Sequence, residues 1–155
     1  YDTPKAIYET PSNIFVAGFM GSPNMNFFKG RIAKLADGFC VVLDGADGAV
    51  MPLPTDRYAS LSDGQPVVFG VRPEHFSPAQ EGRGARKGTP AAVVPIHVDM
   101  DEPTGAETIL MVTIADQNAT IVCESDTAPS PGETMDFEVD MSKINLFDPQ
   151  SETRL

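Results

Sequence analysis

Tryptophan is absent from this sequence, and histidine and cysteine occur at only two positions each. With no Cys-x-x-Cys and no His-x-x-x-His, the common ligand sets for zinc are missing. Cys40 and Cys123 stand far apart, each inside an apolar run. They read as buried free thiols of a reducing compartment, although spacing alone leaves a disulfide open. His97 alternates outward on an expected strand. His75 lies in Val71-Arg72-Pro73-Glu74-His75-Phe76, where a structural turn is a simpler reading than acid–base chemistry. No apolar run approaches the ~18 residues of a membrane span. A phosphate-cradling Gly-x-x-x-x-Gly-Lys-Ser/Thr loop is also lacking. The nearest stretch, Gly82 to Thr89, carries Lys87-Gly88-Thr89 in the wrong order, and the Gly82-x-Gly84 pair has no third glycine. These residues are therefore expected to bind no nucleotide, hold no cofactor or metal, and catalyse nothing.

Positive charge is scarce in the second half. Residues 88–155 hold Lys143 and Arg154 against thirteen acidic side chains, whereas residues 1–87 balance nine of each sign. The formal charge of −11 thus belongs wholly to the second half. Phosphate backbones need cationic contacts, and single strands need aromatics set among them. Nucleic acid is excluded as a partner on both counts. Asp99, Asp101 and Glu102 match no calcium loop and read as a solvated turn. Asn118-Ala119-Thr120 fits a glycosylation acceptor and reads as a polar turn. An acidic surface of this kind suits solubility or a basic protein partner.

What the chain does have is punctuation. Thirteen glycines and fourteen prolines separate short apolar runs, which favours strands and turns. Residues 1–20 differ: Thr3-Pro4 and Thr10-Pro11 each set a capping hydroxyl before a proline, predicting two short helices. Their apolar side chains are too many for a free tail, so they are expected to fold back or meet another surface. From Met25 the period becomes two, with strands over 26–36 and 39–43 around Asp37-Gly38. Further strands are expected near 49–53, at 65–71 and from Val94 to Met100, with a helical turn at 55–61 and an exposed loop at 78–90. A central strand at 107–115 turns through Asp116-Gln117-Asn118 into 119–124. The last strand sets Met135, Phe137, Val139 and Met141 on a core face, with Asp136, Glu138 and Asp140 facing solvent. Seven or more short strands suggest a small barrel or sandwich.

Several blocks, in order, match a known pattern. Pro4-x-x-Ile7-Tyr8-x-x-Pro11-x-Asn13-x-Phe15-Val16-Ala17-x-Phe19-x-Gly21-Ser22-Pro23-x-Met25-Asn26 comes first. Gly70-Val71-Arg72-Pro73-Glu74-His75 follows, then Glu102-x-x-Gly105-x-Glu107-Thr108, Pro131-Gly132-Glu133 and Leu146-Phe147-Asp148. Together they resemble the region behind the ATPase domain in ATP-binding subunits of bacterial ABC importers for sugars, of the maltose, oligosaccharide and glycerol-3-phosphate type. The family usually has Gly-Thr-Pro where Asp2-Thr3-Pro4 stands here, a basic residue at Ile14, and Thr-Gly near Ser151-Glu152.

The resemblance implies an all-β fold, a small oligonucleotide-binding-type (TOBE-like) β-barrel with a short N-terminal helical segment. Residues 1–24 would be the connector from an ATPase domain and 25–155 the barrel, a regulatory domain that holds two subunits together. ATP and magnesium would belong to the ATPase domain upstream, since the chain begins at Tyr1 and reads as part of a longer protein. The implied partners are that ATPase domain, a second copy of the subunit, the transporter's membrane subunits through the ATPase domain, and in some members a regulatory protein. The implied location is cytoplasmic, at the inner face of the cell membrane. Contacts between copies, or between barrel and ATPase, are expected at Gly21, Ser22, Pro23, Met25, Asn26, Arg72, Pro73, Glu74, His75 and Phe147. A second reading, a barrel that binds a small oxyanion, would draw on Arg31 and Arg72 as its first-half cations.

Overall fold

The computed structural model describes residues 3–19, 21, 23–45, 49–54, 56–58, 60–79 and 92–155. Among these residues two helices, α1 (Pro4–Glu9) and α2 (Ile14–Phe19), precede ten strands. The first five are β1 (Asn26–Leu35), β2 (Gly38–Leu43), β3 (Val50–Pro52), β4 (Pro66–Val71) and β5 (Phe76–Pro78). The second five are β6 (Ala92–Pro103), β7 (Glu107–Ile114), β8 (Gln117–Glu124), β9 (Thr134–Val139) and β10 (Asn145–Phe147). The all-β expectation with a helical N-terminal segment holds. The expected barrel is built from two antiparallel five-stranded sheets, ordered β10-β4-β1-β2-β3 and β5-β9-β6-β7-β8.

One core lies between the sheets. Phe28, Ile32, Phe69, Ile96, Leu110, Ile121 and Phe137 meet there from alternate positions of six strands. The alternation follows from the two-residue strand period, which sends neighbouring side chains to opposite faces. The seam between the sheets is made by side chains. Asn26 on β1 donates to the Thr120 carbonyl on β8 at 2.7 Å and accepts from the Thr120 N–H at 2.8 Å. One turn further, Gln117 accepts from the Lys29 N–H at 2.8 Å and donates to the carbonyls of Lys29 and Asp44 at 3.1 and 2.9 Å. Two carboxamides thereby stand in for strand pairing where β1 outruns β2.

Several local expectations change. Thr3 caps α1 as expected, accepting from the Ala6 N–H at 3.1 Å with Pro4 in the first turn. Thr10 instead closes α1, its hydroxyl donating to the Ala6 carbonyl. Asn13 is what caps α2, accepting from the Val16 N–H at 2.8 Å. The β7–β8 turn is Ala115-Asp116, both with positive φ, and Gln117 already belongs to β8. Met100 is 61% exposed because a bulge between Val98 and Met100 reverses the phase of β6. Glu138 and Asp140 do not face solvent: Glu138, on a strand flanked by β5 and β6, is 8% exposed, and Asp140, just past the end of β9, is 7% exposed. Asp140 accepts from the Ser142 hydroxyl at 2.5 Å and its N–H at 3.2 Å. Among the described residues of 55–61, Asp56 and Arg57 form a turn, and β5 ends at Pro78, the first residue of the expected loop. Most of the 78–90 loop lies outside the described residues. Among the described residues no helix is long and apolar enough to cross a membrane.

Candidate functional site

The short helices fold back on the outer face of the first sheet. Ala17 of α2 packs with Met25 and Phe147 beneath it, and Ile14, Phe27 and Val68 flank this second apolar cluster. Gly70 makes the fit possible, since a Cβ there would come within 2.7 Å of the Met25 sulfur and 3.1 Å of the Phe147 ring. The segment is also tied to the far end of the chain. The Ile14 N–H donates to the Glu152 carbonyl at 3.0 Å, the Arg154 N–H to the Ser12 carbonyl at 2.9 Å, and Asn13 bridges Thr153.

Arg72 fastens both helices at once. It is 1% exposed. Its guanidinium donates through Nη2 to the Tyr8 carbonyl on α1 at 2.9 Å and through Nη1 to the Ala17 carbonyl on α2 at 3.2 Å. The guanidinium carbon lies 4.0 Å from the Tyr8 ring centre, a cation–π stack. Burial lowers its pKa, against the opposing pull of Tyr8 and Glu74. The Tyr8 hydroxyl in turn donates to the Glu74 carboxylate. Burial, that bond and the Glu74 charge together push the Tyr8 phenol up to about 12, with Arg72 acting the other way.

The sequence block Arg72-Pro73-Glu74-His75 earns its compactness here. Arg72 is extended, Pro73 opens a 3-10 turn over Pro73–His75, and the His75 N–H returns to the Arg72 carbonyl at 3.0 Å. That turn points Arg72 under the helices and Glu74 at Tyr8. Gly21 completes the arrangement at φ +96°, where a Cβ would stand 3.1 Å from Arg72 Nη1 and 3.3 Å from Tyr8 Cε2. The Asn24 amide, turned to satisfy its neighbours, donates to the carbonyls of Gly18 and Gly21 at 2.9 and 3.0 Å.

The residues expected at contacts therefore divide. Met25, Asn26, Arg72, Pro73 and Phe147 lie in the interior and spend their contacts within the chain. Gly21 and Glu74 are exposed, Pro23 and His75 half-buried, and Ser22 lies outside the described residues. Arg31 and Arg72 do not converge. Arg31, donating to the Gly64 carbonyl at 3.3 Å, lines a groove beside Lys29 and Pro149, on a different part of the molecule from the cleft lined by Arg72. Among the described residues no group of three metal-binding side chains gathers.

Sequence reasoning missed a cleft of about 340 Å³ beside α1. Arg57, Lys143, Asn145 and Arg154 join Glu9 and His75 in its wall. Its members are scattered over the whole chain, and only the crossing of α1 with the turn before β10 unites them. Burial lowers the pKa of His75, with Lys143 and Arg72 adding to the effect and Glu74 and Asp140 opposing it.

The chain is similar to known proteins along nearly its full length. The profile of the MalK OB fold domain matches residues 21–76, and that of the TOBE domain matches residues 69–147. The sulfoquinovosyl glycerol transport ATP-binding protein SmoE of Agrobacterium fabrum is 33% identical over 97% of this chain and 38% of its own length. The oligosaccharides import ATP-binding protein MsmX of Bacillus subtilis is 31% identical over 99% of this chain and 40% of its own length. The chain thus spans about two fifths of these relatives. Among solved structures, the cytoplasmic molybdate-binding protein ModG has the same fold, with a TM-score of 0.59 and 19% identity. The match covers 80% of this chain and 96% of that one.

Proposed function

The chain belongs to the family of TOBE domains, and from that premise we propose that it is the regulatory and dimerising domain of the ATP-binding subunit of an ABC importer for sugars or sugar phosphates. In this reading an ATPase domain on the same polypeptide binds ATP and magnesium and performs hydrolysis. The subunit works in the cytoplasm, held at the inner face of the membrane through the transporter's membrane subunits. A second copy, and in some settings a regulatory protein, would meet the domain's own surface.

The observation that carries this reading is the fastening of α1 and α2 by Arg72. A connector that merely tethered two domains would gain nothing from a buried guanidinium bonded to both of its helices. A connector that transmits motion needs such a fixture, because rigid elements pass a displacement on and slack ones absorb it. The exposed Glu74 and Gly21 beside the fixture are available to a neighbouring surface.

The test compares the complete ATP-binding subunit with one lacking these residues. Sedimentation without nucleotide should show the complete subunit pairing at lower concentration. In the assembled transporter, Arg72→Met should leave ATP binding intact and weaken the coupling of hydrolysis to transport. Equal pairing by both forms, together with full coupling in the variant, would remove the proposal.

A further inference from the structure

One cleft runs against the charge of its surroundings. The two basic residues of the strongly acidic stretch 88–155 are Lys143 and Arg154, and both line the cleft beside α1, together with Arg57 and Arg72. Glu9 is the one acidic residue among the described residues of that wall. Among the described residues no carboxylate forms an ion pair with Arg57, Lys143 or Arg154. Arg57 is nonetheless held in place: it donates to the carbonyls of Ser142 and Ile144 at 2.8 and 3.2 Å and to the Tyr58 hydroxyl at 3.2 Å. Carbonyls orient this charge without neutralising it.

In the same wall, Asn145 Oδ1 and His75 Nδ1 lack a protein partner. Asn145 is 1% exposed, and its Nδ2 donates to the Glu9 carbonyl at 3.4 Å, which fixes the side chain and leaves its oxygen for a donor from elsewhere. Buried amide oxygens are rarely left so. His75, whose pKa burial lowers, presents an uncharged ring near neutral pH. The cleft therefore offers three uncompensated cations and, deeper, acceptors suited to hydroxyl groups. Glu74 and Asp140 approach His75, but the first already holds Tyr8 and the second Ser142.

We propose that this cleft binds a small phosphorylated sugar or polyol, its phosphate on Arg57, Lys143 and Arg154 and its hydroxyls on Asn145 and His75. A volume of about 340 Å³ suits a single such unit. The assignment goes beyond the regulatory reading and rests on the cleft alone, so it stands or falls without reference to subunit pairing.

The test is titration calorimetry on the 155-residue chain with glucose 6-phosphate, inorganic phosphate and glucose, paired with backbone amide shifts. Glucose 6-phosphate should bind more tightly than inorganic phosphate, glucose should give no heat, and shifts should centre on Glu9, Thr10 and Lys143 to Asn145. The exposed pair Lys143→Glu and Arg154→Glu, with unchanged circular dichroism, should weaken binding at least ~10-fold. A second variant, Asn145→Ala, should erase the preference for the sugar phosphate over inorganic phosphate. Equal binding of all anions that vanishes at about 0.15 M salt would mean an adventitious ion only, and would overturn the site. Undiminished affinity in the charge-reversed variant, or shifts confined to a different surface, would overturn it as well. So would binding of an acidic peptide but of no sugar phosphate.

Discussion

Asn26 and Thr120, 94 positions apart, exchange two hydrogen bonds of 2.7 and 2.8 Å, and in doing so join the first sheet to the second. No backbone strand pairing links β1 to β8, so this side chain does work that a neighbouring strand would do elsewhere. Asn26→Leu keeps the volume and removes both bonds, stranding an N–H and a carbonyl. The expected cost is about 2–4 kcal/mol, read as a lower urea midpoint with an unchanged slope. A loss below ~0.5 kcal/mol would show that water or Gln117 takes over the seam.

Gly21 should resist any side chain. Its φ of +96° disfavours an L residue, and an added methyl would press on Arg72 Nη1 and Tyr8 Cε2. Gly21→Ala is expected to destabilise by about 1–3 kcal/mol. The amides of Ile7 and Thr10 on α1 should exchange faster with solvent while those of β7 keep their protection. Slower exchange at α1 would contradict the geometry.

The Tyr8 phenol carries a pH signature. Its pKa is raised to about 12, burial being the main cause and the Glu74 bond the next. An unfolded tyrosine ionises near 10, so the folded state favours the protonated phenol. The stabilisation is complete below about pH 10 and disappears as pH climbs through about 12. The difference in ultraviolet titration between wild type and Tyr8→Phe should isolate this late ionisation. A Tyr8 titration at the ordinary pH would mean that the ring is neither buried nor bonded to Glu74 in solution.

Cys40 and Cys123 are both buried and form no disulfide, and burial pushes the Cys40 thiol up. Neither should react with a disulfide reagent in the native state, and both should react at once in guanidinium chloride. One fast native thiol would locate an opening of the sheet that carries it.

Much of this could be read from the chain. Thr3-Pro4, the alternation of Val67, Phe69 and Val71, and the apolar face of β9 each follow from local rules, and the structure keeps them. What could not be read is whatever depends on two distant segments. Met100 leaves its expected face because of a bulge, a two-against-one pairing that the partner strand helps to define. Glu138, on a strand flanked by two others, is buried, as is Asp140 just past the strand's end, and alternation is blind to neighbours. The turn Arg72 to His75 was conspicuous in sequence, yet nothing local reveals that Arg72 points inward beneath two helices. The cationic cleft was invisible for the same reason: Arg57, Lys143 and Arg154 become one wall only after folding.

The bonds between Ser12–Ile14 and Glu152–Arg154 join positions about 140 residues apart. Synthesis proceeds from the first of these to the second at roughly 5–20 residues per second. Helix α2 is therefore made about 7 to 28 seconds before its final partners exist. Through that interval Met25, Phe27 and Val68 can already cover Ala17, whereas Phe147 cannot. Birth order thus leaves the start of α2 to be latched by a segment made long after it.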